Sequence, residues 1–220
     1  MSEYFSSFLP FMLEGTWRTL EVFVLTLLIS LPLGLPFALG ALSKIKPLSF
    51  ICKVYVWIFR GTPLMLQLFF FYFFFPIVLH IKLALFPTVI ITFVFNYSAY
   101  FAEIYRGGIN SIDRGQYEAA HALGVPKSLT MKDIILPQAM KNVLPPVVNE
   151  AITLVKDTAL ASSLGFIELM KATNSAVNRT SDISIFFWAA LIYLIMTFVL
   201  TVLAGRLEKY FARYDAKEEW

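Results

Sequence analysis

Four stretches of the chain carry no charged side chain: Val22–Ser43, Gly61–Ile81, Leu83–Ala102 and Ile183–Gly205. Each approaches or exceeds the roughly 20 mostly apolar residues that a bilayer-spanning helix needs. A fifth apolar stretch, Asn142–Gly165, is interrupted by Glu150, Lys156 and Asp157. Lysine and arginine favour cytoplasmic loops, so their distribution tests the number of spans. With five spans only Arg18, Lys82, Lys171 and Arg179 fall outside, and most other basic residues fall inside. With four spans the C-terminal tail moves outside and the asymmetry weakens. The pattern therefore predicts an all-α integral membrane protein with five transmembrane helices, the N-terminus outside and the C-terminus cytoplasmic. The first run is not a cleaved leader, because Glu3, Glu14, Arg18 and Glu21 precede it and no cleavage site follows.

Composition agrees. The chain has 220 residues, 58% hydrophobic and 15% charged. Soluble domains run nearer 45–50% apolar and about 25% charged. That excludes an ordinary soluble enzyme, a disordered chain and a disulfide scaffold. The net charge of +3 gives no nucleic-acid signal, since the positive residues flank apolar runs. Residues 1–220 read as a single transmembrane domain. An odd number of spans without an internal repeat makes at most half a pore, which points to a symmetric dimer.

The longest hydrophilic stretch, 106–141, is predicted cytoplasmic. Asp113 opens a short helix that runs to about Leu123. Gly124 ends it, since glycine takes the left-handed conformation cheaply, and Pro126 prevents continuation. A second helix starts near Ser128 or Thr130 and ends before Pro137. One reading of the first helix is an amphipathic segment lying on the membrane surface. The alternative is a helix for a protein groove, which Glu118 and the small Ala119 and Ala120 suit better.

Within the spans, Arg60-Gly61-Thr62-Pro63 should break the second helix, because Pro63 removes the donor for the carbonyl of Phe59. Broken helices expose backbone groups that can hold ionic substrates; the alternative is a packing kink. Intramembrane charge is costly and marks function by default. Glu150, beside Asn149 and near the middle of the fifth stretch, needs a cationic partner. A substrate ammonium, Lys156 or Arg60 would serve. Lys156 and Asp157 point about 100° apart on a helix and do not pair with each other. His80, His121 and Cys52 lack metal-ligand spacing, so no metal site is expected, and no catalytic set is present.

The loop reads Glu118-Ala119-Ala120, three residues, Gly124, nine residues, Ile134, one residue, Leu136-Pro137. This resembles the signature loop of inner-membrane permease subunits of ATP-binding-cassette importers. Arg60-Gly61-Thr62-Pro63, Ala102-Glu103-Ile104-Tyr105-Arg106-Gly107-Gly108 and Lys156-Asp157-Thr158-Ala159-Leu160 are similar to motifs of the branch that carries polar amino acids. In the last of these the family more often has serine at the position of Ala159. The resemblance implies a type I importer permease fold in a bacterial inner membrane. It implies a second permease copy, identical or paralogous, two cytoplasmic ATPases that carry ATP and Mg, and an extracytoplasmic substrate-binding protein. Glu118, Ala119, Ala120, Gly124, Leu136 and Pro137 would couple to the ATPase. Arg60, Gly61, Thr62, Asn149, Glu150, Thr153 and Asp157 would contact a polar, possibly basic, amino acid. The chain has no phosphate-binding Gly-x-x-x-x-Gly-Lys-Ser/Thr loop, so ATP hydrolysis is expected on a separate chain and no cofactor on this one. A passive or secondary transporter without an ATPase is the alternative.

Overall fold

The structure is a computed structural model that describes residues 2–212, with side chains from 8 to 209. Among the described residues it is helical, with no strand. The helices are α1 (Ser2–Ala41), α2 (Lys46–Gly61), α3 (Leu64–Ile77), α4 (Leu85–Asn110), α5 (Arg114–Ala122), α6 (Lys127–Leu129), α7 (Leu136–Asp157), α8 (Leu169–Thr180) and α9 (Ile185–Ala212). A π-helical turn, Thr130–Ile135, joins α6 to α7, and a 3₁₀ segment, Thr158–Leu164, continues α7. Stretches Phe8–Ala41, Leu85–Asn110 and Ile185–Lys209 are each long and apolar enough to cross a membrane. The pair α2 and α3 makes a fourth span if it is taken as one bent unit.

Helix α4 is the centre of the bundle. Phe93, Tyr97 and Phe101 on it are almost fully buried. They pack with Val22 and Phe23 of α1, Leu68 of α3, and Leu154 and Val155 of α7. Glycines permit the closest crossings, as expected where backbones rather than long side chains must meet. A β-carbon on Gly34 of α1 would lie 2.7 Å from Phe101 Cβ. One on Gly108 of α4 would overlap Val143 Cγ2 and sit 3.2 Å from the Ala139 carbonyl of α7.

Three expectations are corrected. Helix α1 does not begin at Val22; it begins at Ser2. The buried residues Phe8, Met12, Gly15, Thr19, Val22, Thr26 and Ser30 recur at helical spacing. Phe8 and Met12 pack against Leu169 and Ala176 of α8 and Ile185 of α9. That face extends the helix upstream of the charge-free run, while Glu14 and Arg18 stay exposed on the other side. Second, the helix carrying Arg60 starts at Lys46, well ahead of the charge-free run that begins at Gly61. Third, the helix after Gly124 does not stop before Pro137. It passes through the π turn directly into α7, so 106–141 contains the last turn of α4 and the first of α7. Pro137 lies in the first turn of α7, directly after the π turn, and the helix runs on through it. Past the charge-free run that ends at Gly205, α9 continues as far as Ala212; the remainder lies outside the described residues.

Candidate functional site

The sequence Arg60-Gly61-Thr62-Pro63 does break the chain. Helices α2 and α3 meet there at a 109° bend. Thr62 and Pro63 are both extended, with φ −117° and −62°. Arg60 occupies the last turn of α2, half exposed, and reaches α4 in two ways. Its Nη1 lies 3.7 Å from Glu103 Oε1, and its guanidinium sits over the Tyr100 ring, 5.4 Å from the centroid. Glu103 also accepts from Arg106 Nε at 2.9 Å. Beside this cluster lies a cavity of about 520 Å³, lined by α1, α2 and α4. Arg60 and Gly61 line it together with Lys53, Trp57, Glu103 and Arg106. A β-carbon on Gly61 would meet nothing within 4 Å. Three cations against one carboxylate make this cavity suited to an anionic group.

The residues proposed on the fifth stretch lie elsewhere, on α7. Glu150, Thr153 and Asp157 are spaced by three and four residues and share one half-buried face. Asn149 and Lys156 form the next stripe and are exposed. Asp157 Oδ2 accepts from the Tyr97 hydroxyl at 2.8 Å. Thr153 turns its hydroxyl back to the Asn149 carbonyl, 3.1 Å away. Among the described residues no basic side chain comes within salt-bridge distance of Glu150. Arg60 lies within its electrostatic reach. The structure therefore splits the predicted substrate residues. Arg60 and Gly61 face the cavity, Thr62 sits in the break, and Glu150, Thr153 and Asp157 form an acidic face on α7. Among the described residues no group of three His, Cys, Asp or Glu side chains could hold a metal ion.

The segment expected to couple is a capped helix. Asp113 Oδ1 accepts from Gly115 N at 2.6 Å and closes the start of α5. At the other end Gly124 has φ +72°. Its N–H donates to His121 O at 3.0 Å, and Val125 N–H donates to Ala120 O at 2.9 Å. That pair of bonds is the glycine-terminated motif that satisfies a helix's last carbonyls. Glu118 and Ala119 are exposed, and Ala120 is buried. Leu136 is half-buried and Pro137 exposed at the start of α7. Ile109, Ile135 and Ala139 form the small core behind α5.

Two polar residues in the interior were not legible as functional. Gln67, the lone amide in the phenylalanine-rich α3, is 6% exposed. Glu168 is fully buried between α1, α8 and α9. Its carboxylate caps α8, accepting from Met170 N at 2.8 Å and Lys171 N at 2.7 Å. The Tyr193 hydroxyl adds a third bond at 3.1 Å. A solitary acid just before a short amphipathic helix was the available signal. Glu168 lies between α7 and α9, outside the apolar spans. Burial pushes its carboxyl from an ordinary 4.5 up to about 7, against the pull of these donors. The folded protein thus holds the proton more tightly than the unfolded chain. Stability should fall as pH rises from about 4.5 to about 7, on the order of 3 kcal/mol in total. Thermal unfolding in detergent across that range checks this, and Glu168→Gln should flatten the slope. A slope that persists in the variant would assign it to another group.

The match to known proteins covers this architecture. The model of binding-protein-dependent transport system inner membrane components matches residues 30–213. A putative glutamine transport system permease protein, GlnP, of Rickettsia felis is 40% identical over 213 residues, 95% of this chain and 98% of the relative. The arginine transport system permease protein ArtQ of Bacillus subtilis is 40% identical over 202 residues, 91% of this chain and 92% of that one. A crystal structure of an amino acid ABC transporter with histidines superposes with a TM-score of 0.88 at 33% identity, covering 94% of this chain and 97% of that one. Helical spans, a broken second helix and a capped α5 accompany a family match across most of the chain, which therefore belongs to the binding-protein-dependent transport system inner membrane components, the permease subunits of ATP-binding-cassette importers.

Proposed function

We propose that this permease carries a polar amino acid across a bacterial inner membrane. It works with a second permease copy, two cytoplasmic ATPases that bind ATP and Mg, and an extracytoplasmic binding protein. The N-terminus lies outside and the C-terminus inside. The observation that carries this reading is a short connection. α5, which presents Glu118 and Ala119 to solvent, ends at the Gly124 turn, and from Lys127 the chain runs as one helical path through α6 and the π turn into α7, which bears Glu150 and Asp157. A displacement imposed on α5 by the ATPase would reach the acidic face across that one capped turn. Ala119 allows close approach in a groove, and Glu118 offers a carboxylate to a basic partner. ATP can switch access only through unequal affinity for the two access states.

The charges suit a zwitterion. The acidic face of α7 would take an ammonium, and the Arg60–Arg106 cavity would take the carboxylate. A cationic side chain would add to the attraction of Glu150, and relatives named for glutamine, arginine and cystine transport are consistent with a polar amino acid. The test is uptake into proteoliposomes by the complex co-purified in mild detergent, with labelled arginine and glutamine. Glu150→Gln should lower arginine uptake about tenfold, the value of one lost charge-assisted bond, and leave glutamine within about twofold. Equal transport of both by the variant would remove the acidic-face role. Uptake without ATP would favour a passive transporter.

A further inference from the structure

Proline at position 63 leaves the Phe59 carbonyl without its intrahelical donor, and a buried carbonyl must find another. Two side-chain amides supply it. Gln67 Nε2 donates to Phe59 O at 2.9 Å and Asn96 Nδ2 donates to the same oxygen at 3.1 Å. Asn96 Nδ2 also donates to Gln67 Oε1 at 2.9 Å. Gln67 Nε2 further reaches the Thr62 hydroxyl at 2.8 Å and the Thr62 carbonyl at 3.1 Å. Thr62 in turn donates to Ile58 O at 2.8 Å. Both amides are almost fully buried, Gln67 at 6% and Asn96 at 4%. The Phe59 and Thr62 carbonyls of the break are therefore bound by side chains from α3 and α4.

The placement of Asn96 extends the argument. Asn96, Tyr100 and Glu103 are spaced by four and three residues, so they form one stripe along α4. The first binds the carbonyl of Phe59, the second stacks on Arg60, and the third pairs with it. One face of α4 thus sets the position of the last turn of α2. We propose that Gln67 and Asn96 are positioning residues that hold the α2–α3 break at its bend and so present Arg60 and Thr62 to the transported amino acid. This rests on the reading that the substrate passes Arg60.

The test separates positioning from simple satisfaction of a carbonyl. Gln67→Leu and Asn96→Leu each leave the Phe59 carbonyl one amide donor and should each raise the KM for uptake about threefold. The double variant should raise it about tenfold or more, because only there is the acceptor left unpaired. Pro63→Ala returns a backbone N–H to Phe59. Added to Gln67→Leu it should restore thermal stability but not KM, since a continuous helix moves Arg60. Recovery of KM would overturn the proposal. Pro63→Ala alone removes no side-chain partner, and it should raise KM by itself; an unchanged value also counts against the proposal. A second readout does not depend on transport. Spin labels at the exposed Phe50 and Phe73, in a Cys52→Ser background, report the angle between α2 and α3. Their separation should lengthen in Pro63→Ala and in Gln67→Leu as the bend opens, and an unchanged distance would overturn the proposal. A wild-type complex that fails to take up amino acid would refute the functional reading, while the label distances still decide this one.

Discussion

Gly124→Asp should reduce ATP-driven uptake to below about one-thirtieth of wild type, the loss expected from disrupting a central docking contact, while the permease still folds and assembles in the membrane. The reasons are local. Gly124 has φ +72° and nothing within 4 Å of a built β-carbon. Aspartate tolerates the left-handed region at a cost of about 1 kcal/mol, too little to unfold the bundle. Its charge, however, falls at the C-terminal end of α5, where the helix dipole disfavours an anion. It also stands beside the exposed Leu123, at 82% the most exposed large apolar side chain described. A partner groove that accepts Glu118 and Leu123 would meet a second, misplaced carboxylate. Gly124→Asn shares the left-handed tolerance without the charge and should retain most activity. The measurement is uptake together with recovery of the ATPase in a tagged purification. Normal uptake by Gly124→Asp would remove α5 as the coupling element. Equal loss in both variants would assign the effect to backbone conformation alone.

Gly108→Leu should fail at an earlier stage, in folding. Its β-carbon would overlap Val143 Cγ2, and the backbone oxygen of Ala139 stands 3.2 Å away. Gly108 and Val143 are both buried, so neither helix can yield toward solvent. Overpacking of this kind costs about 3 kcal/mol when the neighbour is a side chain, and a backbone atom cannot rotate away. Monodisperse protein recovered from detergent should drop sharply. Gly108→Ala with Val143→Ala removes the Val143 methyl that the new β-carbon would overlap and should be recovered at near wild-type yield. If Gly108→Leu is as stable as wild type, α4 and α7 do not touch at this point.

The residues that were legible from sequence are those whose chemistry is local. Pro63 cannot donate and Gly124 can adopt a positive φ whatever surrounds them, so the break and the end of α5 followed directly. Asp113 capped α5 for the same reason. What escaped depends on partners distant in sequence. The early start of α1 is set by Phe8 and Met12 packing on α8 and α9, and the stripe that extends it contains glycine and threonines, so it does not read as an apolar run. Pro137 reads as a stop on its own, and the π turn before it, where Thr130 and Ile135 are buried, carries the helix through. Gln67 was lost in a run of phenylalanines, and its use appears only once Phe59 and Asn96 are brought beside it. The substrate residues were grouped by type, and the fold divides them between a cavity and a helix face.

The 106–141 segment leaves from α4 and returns into α7, and those two helices are joined at Gly108 by contact between backbone and side chain with no room for a lubricating layer. A densely packed crossing of this sort resists both sliding and separation. The two ends of the segment are in effect welded together, and α1 is clamped to the same unit at Gly34. A push on α5 therefore cannot be spent in prising α4 from α7. On the proposed coupling through α5, such a push would tilt the stiff block as a whole, with Tyr97 and Asp157, and Glu103 and Arg60, carried along in contact. Compliance is left to the sparsely packed α9, which has no such crossing.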